Sequence, residues 1–528
     1  MACEVQCRGG NHIYIYESVS YRNEDGHPRN SRVLIGKIDP GSGEKIYKPE
    51  YIARMETAGT PVVISQKQLQ FSIEDVKNSM VLEYGLTHVL GNIAEHSGLA
   101  ASLETACPAH SDQIYALASH LVATGDPFMH CQDWLEGTAN MENTGNLSSP
   151  RISELLAEIS FEEREEFYRQ WCAKLTEKEY LALDITSTSS YSTLIDDVEW
   201  GYNRDGEDLA QVNLCMLMGE KSRLPAYQTV YSGSLRDVST LQTTLAKFKA
   251  VAGEKPILSV MDKGFCSKKN IDDLLEKDHK FVMAVPFSLA FAQQQVLDER
   301  AAIDTLQNTI LMGGDSLRAV TRKVDWNGGN EVFAHIFFNP IKAANDREKL
   351  YAKVADMYQT ARKAPRKYAE NPDYLKYLNI CRQDIFSFTV EIMENAVNDS
   401  LKHAGWLVII SNEISNCKHA LRIYRSKDVV EKGFMRLKNS LDLGRLRVHS
   451  DKAMQNKVFI GFVALILLSK IHNVMLDKNL YKKWTMTSLI RTLAKHRVNY
   501  IKGLKVLFPT TKGQRFIYEA FGISAIGV

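Results

Sequence analysis

Short apolar runs separated by turn residues occupy the middle of the chain and predict strands. Five runs follow one another: Tyr180–Ile185, Val212–Met218, Ala226–Tyr231, Pro256–Met261 and Phe281–Pro286. Helical spacing of apolar residues separates the later runs, over Val238–Val251 and Lys268–Lys277. The order predicts three antiparallel strands followed by strand, helix and strand, which indicates a mixed-sheet α/β core.

The flanking patterns divide the chain further. Alternation around Ile13–Tyr21 and Val33–Ile38 predicts an N-terminal β-hairpin, and helical spacing follows. Strand-like runs near Val320 and at Phe333–Phe338, then a charged helical piece, interrupt the core pattern before it returns at Trp406–Ile410. A long helix is expected from about Ser415 to Leu441. The predicted domains are an N-terminal β-rich segment (1–60), a helical region (61–175), the first part of the core (176–289), an insertion domain (290–403), the second part of the core (404–445) and a basic helical C-terminal region (446–528).

The charge of the chain is unevenly distributed. The net charge is only +1, but from Leu421 onward 21 Lys and Arg stand against 6 Asp and Glu, which leaves 43 against 57 before that point. A solvated basic face is the ordinary explanation of such a run, yet an asymmetry of this size favours a polyanionic partner. Five basic positions are expected to contact it: Lys482, Lys483, Arg491, Lys495 and Arg497.

Several protein classes are disfavoured by the composition. The 528 residues are 45% apolar, which is typical of a soluble globular protein. The longest apolar stretch, Val458–Leu468, is too short to span a bilayer, so we expect a cytoplasmic protein without a membrane partner. Nine scattered cysteines do not form a disulfide pattern, and Cys3, Cys7 and His12 lack the second ligand pair of a zinc site.

Two aspartates end predicted strands. Asp184 follows Leu181-Ala182-Leu183, and Asp262 follows Leu258-Ser259-Val260-Met261. A buried carboxylate needs a compensating charge, hydrogen bonds or a metal ion, and carboxylates suit Mg²⁺. Either aspartate alone is more readily explained as a turn residue satisfied by backbone donors, but the pair favours a metal site.

The predicted helix before Leu441 carries a third acid between bases. Tyr424, Lys427, Glu431 and Lys438 recur at intervals of three, four and seven residues, so they share one helix face. Surface ion pairs would explain the charges by themselves. They explain less well why Tyr424, which can donate to a phosphate, lies in register with them.

These residues resemble motifs of bacterial insertion-sequence transposases of the DDE type, in the branch with the YREK signature. Tyr424, Lys427, Glu431 and Lys438 have the signature's spacing with Lys for Arg, which keeps the charge but loses bidentate phosphate recognition. Asp262-Lys263-Gly264-Phe265 is similar to the family's Asp-Arg-Gly-Phe, and Asp184-Ile185-Thr186 to its Asp-x-Thr. Gln211-Val212-Asn213-Leu214 and Gly233-Ser234-Leu235-Arg236-Asp237 also resemble family segments.

The resemblance implies a ribonuclease-H-like core in which Asp184, Asp262 and Glu431 are catalytic and hold two Mg²⁺ ions, for which Mn²⁺ would substitute. It implies a homodimer that cuts double-stranded DNA at terminal inverted repeats and joins it to target DNA, with a hairpin intermediate. Residues 61–175 would bind the element ends. The implied DNA-binding residues are Tyr424, Lys427, Lys438, Lys263 and Arg425. Trp326 would either stack on a base or serve as a structural turn aromatic.

Two alternative functions remain open at this level. A transposase-derived protein that binds DNA without chemistry predicts a basic C-terminal region and a disabled acid triad, whereas all three acids are present. A ribonuclease-H-like nuclease that cuts without joining predicts the same residues. Only a strand-transfer measurement separates that nuclease from a transposase.

Overall fold

The computed structural model describes residues 2–10, 12–23, 27–41, 43–57, 72–175, 179–253, 257–384 and 387–524. They form two units: Met1–Val81 with Val498–Leu507, and Leu82–Arg497 with Phe508–Val528. The predicted domain boundaries at residues 60 and 176 lie outside the described residues.

The elements are numbered here in chain order. The strands are β1 (Ala2–Gly9), β2 (His12–Arg22), β3 (Pro28–Ile38), β4 (Lys45–Tyr47), β5 (Met80–Glu83), β6 (Leu181–Ser189), β7 (Gln211–Gly219), β8 (Pro225–Ser232), β9 (Leu258–Met261), β10 (Lys280–Ala284), β11 (Thr309–Met312), β12 (Asp315–Asp325), β13 (Glu331–Phe338), β14 (Leu378–Arg382), β15 (Phe388–Ile392), β16 (Trp406–Ser411), β17 (Arg497–Ile501) and β18 (Leu504–Leu507). The helices are α1 (Pro49–Thr57), α2 (Ile73–Lys77), α3 (Gly85–Ser97), α4 (Leu99–Ala106), α5 (Ser111–Thr124), α6 (Cys131–Glu136), α7 (Ser149–Glu158), α8 (Phe161–Lys174), α9 (Asp237–Ala252), α10 (Lys268–Glu276), α11 (Ala290–Glu299), α12 (Pro340–Lys363), α13 (Pro365–Tyr368), α14 (Pro372–Leu375), α15 (Glu394–Leu401), α16 (Cys417–Ser426), α17 (Asp428–Ser440), α18 (Asp451–Asp477), α19 (Met486–Ala494) and α20 (Lys512–Ala520).

Four antiparallel strands in the order β1-β2-β3-β4 form the sheet of the first unit. The predicted N-terminal hairpin is confirmed as β2 and β3, and its small core contains Ile15, Ile35 and Tyr47. The predicted hairpin omits β1, although Cys3, Val5 and Cys7 alternate with Glu4, Gln6 and Arg8 along this strand; the run lacks bulky apolar side chains, and most of its side chains are exposed. Cys3 and Cys7 lie on this strand as free thiols.

Helices α3 to α8 form a layer at the start of the second unit. Helix α8 begins with a capping box between Ser160 and Glu163, which satisfies N–H groups at its first turn. Its buried face includes Phe167 and Trp171, and the Trp171 indole N–H donates to the carbonyl of Pro225 on β8 at 2.8 Å. This contact anchors the helical layer to the neighbouring sheet.

A nine-stranded sheet in the order β11-β12-β13-β16-β10-β9-β6-β7-β8 forms the centre of the second unit. Strands β6, β7 and β8 are antiparallel, β9 is parallel to both β6 and β10, and β16 is antiparallel to β10. The prediction of three antiparallel strands followed by strand, helix and strand is confirmed, with α9 and α10 as the connecting helices. The sheet is mixed and its core strands are almost entirely buried.

The segment predicted as an insertion domain is divided differently in the structure. Its first strands, β11 to β13, extend the central sheet, because β13 pairs with β16 along Phe333–Phe338. Residues 340–401 then form a smaller layer with its own cluster, which includes Val354, Met357 and Leu378. The sequence did not predict that residues 309–338 join the central sheet, because strand partners far apart in sequence cannot be read from local periodicity.

The basic C-terminal region is built around one long helix. Helix α18 has 27 residues and, by length and composition alone, is apolar enough to cross a membrane, although the apolar run within it, Val458–Leu468, is shorter. Most of its surface is buried against α5, α7, α17 and β8, as expected of a core helix. The predicted basic residues Lys482, Arg491 and Lys495 are exposed in the segments that follow.

Candidate active site

Strand pairing brings the two predicted aspartates side by side. Leu183 on β6 pairs with Met261 on the parallel strand β9, so Asp184 and Asp262 are the next residues on neighbouring strands. Adjacent strands lie about 4.8 Å apart, which places both carboxylates at the same point of the sheet. Asp262 follows the last residue of β9, and its Oδ1 accepts a hydrogen bond from the backbone N–H of Lys263 at 2.8 Å.

A glycine allows the helix that bears the third acid to approach this point closely. Asp184 pairs with Met216 on β7, so the two side chains share one face of the sheet. Helix α17 covers that face: a Cβ added at Gly433 would lie 2.4 Å from Sδ of Met218 and 3.9 Å from Sδ of Met216. Glu431, two residues before this glycine, is thereby brought towards the aspartates.

The predicted long helix is interrupted at Lys427, which ends α16 and precedes α17. The prediction of one continuous helix was wrong. The backbone around Lys427 forms shorter-range bonds, from the Lys427 N–H to the Tyr424 carbonyl at 3.3 Å and from the Val430 N–H to the Lys427 carbonyl at 3.1 Å. This tighter turn joins the end of α16 to the start of α17. It keeps Tyr424, Lys427 and Glu431 close to one another although the regular α-helix is interrupted at Lys427.

Tyr424 and Lys427 connect the helices to the acids. The hydroxyl of Tyr424 donates to Oδ1 of Asp262 at 2.8 Å. The ammonium group of Lys427 lies 2.6 Å from Oε1 of Glu431 and 3.9 Å from Oδ2 of Asp262. One cation therefore lies between two of the three predicted catalytic carboxylates.

Asp184 is partly shielded from solvent and lies near two other carboxylates, and both conditions change its pKa. Burial raises the pKa of Asp184 to about 6, and the negative charges of Asp262 and Glu431 add to the rise. The Ile185 N–H, which bonds to Oδ1 of Asp184 at 2.9 Å, and the charge of Lys427 act in the opposite direction. The charged form of Asp184 is thus incompletely compensated, and a further cation at this place would stabilise it.

The neighbouring groups keep their protons. Burial by itself would lower the pKa of Lys427, but its hydrogen bond to Glu431 and the charges of Asp262 and Asp184 raise it overall. Burial and the charge of Asp262 raise the pKa of the Tyr424 hydroxyl. Both groups are therefore hydrogen-bond donors at neutral pH, able to bind an anionic oxygen.

The three acids fit a hard divalent cation by donor chemistry. Their side chains offer only carboxylate oxygens, which Mg²⁺ and Mn²⁺ prefer, and one of them lacks full charge compensation. Within the described ranges, however, no group of three or more His, Cys, Asp or Glu side chains is close enough together to hold an ion without rearrangement. The ammonium of Lys427 fills part of the space between Asp262 and Glu431, so it would have to move for an ion to bind both.

The remaining predicted DNA-binding residues lie outside this cluster. Lys438 donates to Oδ2 of Asp205 at 2.6 Å, and Arg425 lies 3.1 Å from Oδ2 of Asp315 on β12. The side chain of Lys263 is exposed next to Asp262. Trp326 is held in place by its indole N–H, which donates to Oδ1 of Asp272 at 2.7 Å, and by an edge contact with Phe291. These contacts favour the structural interpretation of Trp326.

A residue that sequence reasoning did not assign to a role supports the turn after β8. The side-chain amide of Asn213 donates to the carbonyls of Ser232 and Gly233 at 3.2 Å and of Leu235 at 2.9 Å. Asn213 lies in a segment that resembles a family motif, but that resemblance carried no role. Its buried amide fixes the backbone that leads into α9.

Replacing Asn213 with alanine is expected to destabilise the protein by about 1–3 kcal/mol, because buried carbonyls would lose their donor. Chemical denaturation monitored by circular dichroism would measure the change in the free energy of unfolding. The exposed Asn327 replaced with alanine is the control and should change it little. Equal stability of the Asn213 variant and the wild type would contradict the bonding described for this turn.

The geometry defines a class of protein: a mixed-sheet α/β protein whose carboxylates meet at adjacent strands beside a helix. A family model described as the transposase DDE domain matches residues 176–467, more than half of the chain. The chain therefore belongs to the DDE transposase family, whose members are nucleic-acid-processing enzymes.

A solved structure, of a piggyBac transposase synaptic complex with hairpin DNA, is similar over 73% of this chain and 70% of that chain, with 11% sequence identity and a TM-score of 0.37. A similarity this weak does not establish a common fold. Among curated proteins, none matches this chain.

Proposed function

We propose that this chain is a DDE transposase of the YREK branch that cleaves double-stranded DNA at the terminal inverted repeats of an insertion sequence and joins the freed end to target DNA. The observation that carries the proposal is the register between Leu183 and Met261, which puts Asp184 beside Asp262, together with the ammonium of Lys427, which links Asp262 to Glu431. The family match over residues 176–467 supports it.

The proposed core is ribonuclease-H-like and comprises β6 to β10. Its spatial order, β8-β7-β6-β9-β10, with three antiparallel strands and then two parallel ones, supports this proposal. Asp184 lies on β6, Asp262 directly follows β9, and Glu431 lies on α17, the second helix after β16. In this arrangement, distant parts of the chain supply one site.

The proposed reaction has two steps at phosphorus. Water attacks a phosphodiester, the bond to the 3′ oxygen breaks, and a 3′-hydroxyl is released; that hydroxyl then attacks a second phosphodiester, so one bond forms for each bond broken. Two Mg²⁺ ions, or Mn²⁺, bound by Asp184, Asp262 and Glu431 would activate the attacking oxygen and stabilise the leaving one. Tyr424 and Lys427 would turn from the carboxylates to the phosphate, since both are donors already at the site.

Further parts of the proposal concern the assembly. We propose that the protein acts as a homodimer holding two element ends, with Lys438, Lys263 and Arg425 on the DNA backbone and residues 61–175 on the element ends. A cytoplasmic location in a bacterium follows from the resemblance. Binding of the purified protein to a terminal-repeat duplex would test the substrate, and the mass of the protein–DNA complex would test the homodimer.

Replacing Glu431 with glutamine is expected to reduce cleavage of a terminal-repeat duplex by about 10³-fold in Mg²⁺, because a carboxylate ligand becomes a neutral amide. Labelled duplex would report nicking and hairpin formation, and a plasmid target would report joining. Replacing Asp428 with asparagine is the control, since this acid lies on the same helix and pairs with Lys432 at 2.7 Å. Wild-type cleavage by the Glu431 variant would remove Glu431 from the site.

The same assay separates the alternatives. A DNA-binding protein without chemistry would retain the duplex but leave it intact at every divalent ion concentration. A nuclease would give cut ends and no joined product. Only joined products that disappear with the Glu431 variant support transposition.

A further inference from the structure

Two cations near the end of the Glu431 helix are paired with carboxylates from a single loop. Arg445, after α17, lies with both guanidinium nitrogens 2.6 Å from the two carboxylate oxygens of Glu207, a bidentate pair. Lys438, on α17, donates to Oδ2 of Asp205 at 2.6 Å. Asp205 and Glu207 both belong to the connection between β6 and β7, which we call the acidic loop (residues 190–210).

The acidic loop begins where the strand bearing Asp184 ends. The hydroxyl of Ser189, the last residue of β6, donates to Oε2 of Glu207 at 2.5 Å, and the carbonyl of Ser189 accepts from the Leu446 N–H at 3.4 Å. Bonds from Arg445 and Ser189 lower the pKa of Glu207, which is therefore a carboxylate at neutral pH. The pairs thus join the strand of the first acid to the helix of the third.

The position of the two cations suits a DNA strand that passes the proposed cleavage centre. Lys438 follows Glu431 by seven residues, two helical turns or about 10 Å. Phosphates of one DNA strand are spaced at about 3.4 Å along the duplex axis, so this distance corresponds to roughly three nucleotides. Arg445 also lies over the ring of Tyr191, at 5.8 Å from its centroid, and that ring is 76% exposed.

The chemistry of the pairs resembles that of phosphate binding. A guanidinium group binds carboxylate and phosphate with the same two-pronged geometry, so Glu207 occupies the place a phosphate oxygen pair would take on Arg445. The side chains of Arg445 and Glu207 are 27% and 31% exposed, whereas those of Lys438 and Asp205 are 12% and 40% exposed, so solvent reaches both carboxylates. The bidentate pair is stronger than an ordinary surface ion pair, but a phosphate offers the same acceptor oxygens, so DNA can compete with Glu207 for Arg445.

We propose that Arg445 binds a backbone phosphate of the DNA strand beside the cleavage centre, next to the phosphate already proposed for Lys438, and that Asp205 and Glu207 occupy these two positions in the free protein until DNA displaces them. The inference rests on the proposed function, because it assumes DNA at the carboxylate cluster. Arg445 is thereby a DNA-binding residue, and the acidic loop is a competitor that lowers affinity for any DNA. The opposing interpretation is a permanent clamp that holds α17 in place with or without DNA.

The two interpretations predict opposite effects of removing the carboxylates. Glu207→Gln, which can still accept from Ser189, and Asp205→Asn are each expected to tighten binding of full-length protein to a labelled duplex by about 3- to 10-fold at fixed salt. Arg445→Gln is expected to weaken binding and to reduce the slope of log affinity against log salt concentration by about 1, the loss of one phosphate contact. Asp428→Asn, which breaks a pair of the same kind at Lys432, is the control and should match the wild type.

Fluorescence anisotropy at several salt concentrations would measure affinity, and thermal unfolding would show that each variant is folded. Weaker or unchanged binding by both Glu207→Gln and Asp205→Asn would overturn the inference in favour of the clamp. If one variant fails to fold, the other decides. If the wild-type protein binds no duplex at all, the proposed function fails, whereas wild-type binding with unchanged variants removes only this inference.

Discussion

Replacing Asp184 with asparagine is expected to abolish DNA cleavage and, in buffer free of divalent ions, to make the protein more stable. Both effects follow from one cause. Burial raises the pKa of Asp184 to about 6, so its charged form destabilises the folded protein, and a bound cation would remove this destabilisation. The neutral amide of asparagine removes the buried charge, which stabilises the protein, and also removes the carboxylate proposed to bind the metal ion, which abolishes cleavage.

The sign of the pH dependence follows from this pKa. The folded protein holds a proton on Asp184 up to about pH 6, whereas an unfolded chain releases it near pH 4, so wild-type stability rises as pH falls through this window. The advantage of Asp184→Asn is therefore largest above pH 6 and disappears towards pH 4. With allowance for partial exposure it is on the order of 2 kcal/mol.

Thermal unfolding in chelator at several pH values, with cleavage in Mg²⁺ measured in parallel, would check this result. Added Mg²⁺ should stabilise the wild type and not the variant, because ligand binding to the folded state raises stability. Asp428→Asn again serves as the control, with cleavage and stability near the wild type. An Asp184 variant that cleaves DNA, or that is less stable than the wild type at pH 7.5, would place this residue outside the proposed site.

Replacing Gly433 with valine is expected to reduce cleavage by about 100-fold and to destabilise the protein by about 1–3 kcal/mol. A Cβ at this position would lie 2.4 Å from Sδ of Met218, which is fully buried, so either the Met218 side chain must change its rotamer or α17 must move away from β7; the two further methyl groups of valine favour movement of the helix. Glu431 would move with the helix, and a displacement of about 1 Å at a reacting centre costs roughly this factor in rate.

Met435→Val is the matched control for this substitution. It introduces the same β-branched residue into the same helix, at a side chain that is 61% exposed. Denaturant unfolding and a cleavage assay on both variants would separate the close approach of α17 from its helix propensity. If Gly433→Val behaves like Met435→Val, α17 does not pack against β7 as described.

Much of the central fold could be predicted from local sequence. Strands β6 to β10 are short apolar runs between turn residues, and their order along the chain predicts a mixed sheet. Local sequence also indicated the candidate site residues. Asp184 and Asp262 lie at the ends of predicted strands, and Tyr424, Lys427 and Glu431 recur at helical spacing. Tyr424 and Lys427 do contact the acids.

Other parts of the candidate site could not be predicted. Lys438 and Arg425 lie at suitable spacing, but each pairs with an acid distant in sequence, Asp205 and Asp315. Glu207 and Arg445 carried no signal, because neither belongs to a periodic pattern or a motif. Their pairing depends on a loop and a helix end that meet only after the sheet has formed.

The sequence by itself determined the type and order of the core elements and the residues that offer carboxylates, since hydrophobic period and residue chemistry are local properties. Only the tertiary structure decided that β11 to β13 join the central sheet, that the helix breaks at Lys427, and which cations lie beside which acids. The physical reason is that strand register and ion pairing depend on groups tens to hundreds of residues apart, whose proximity results from packing the whole unit.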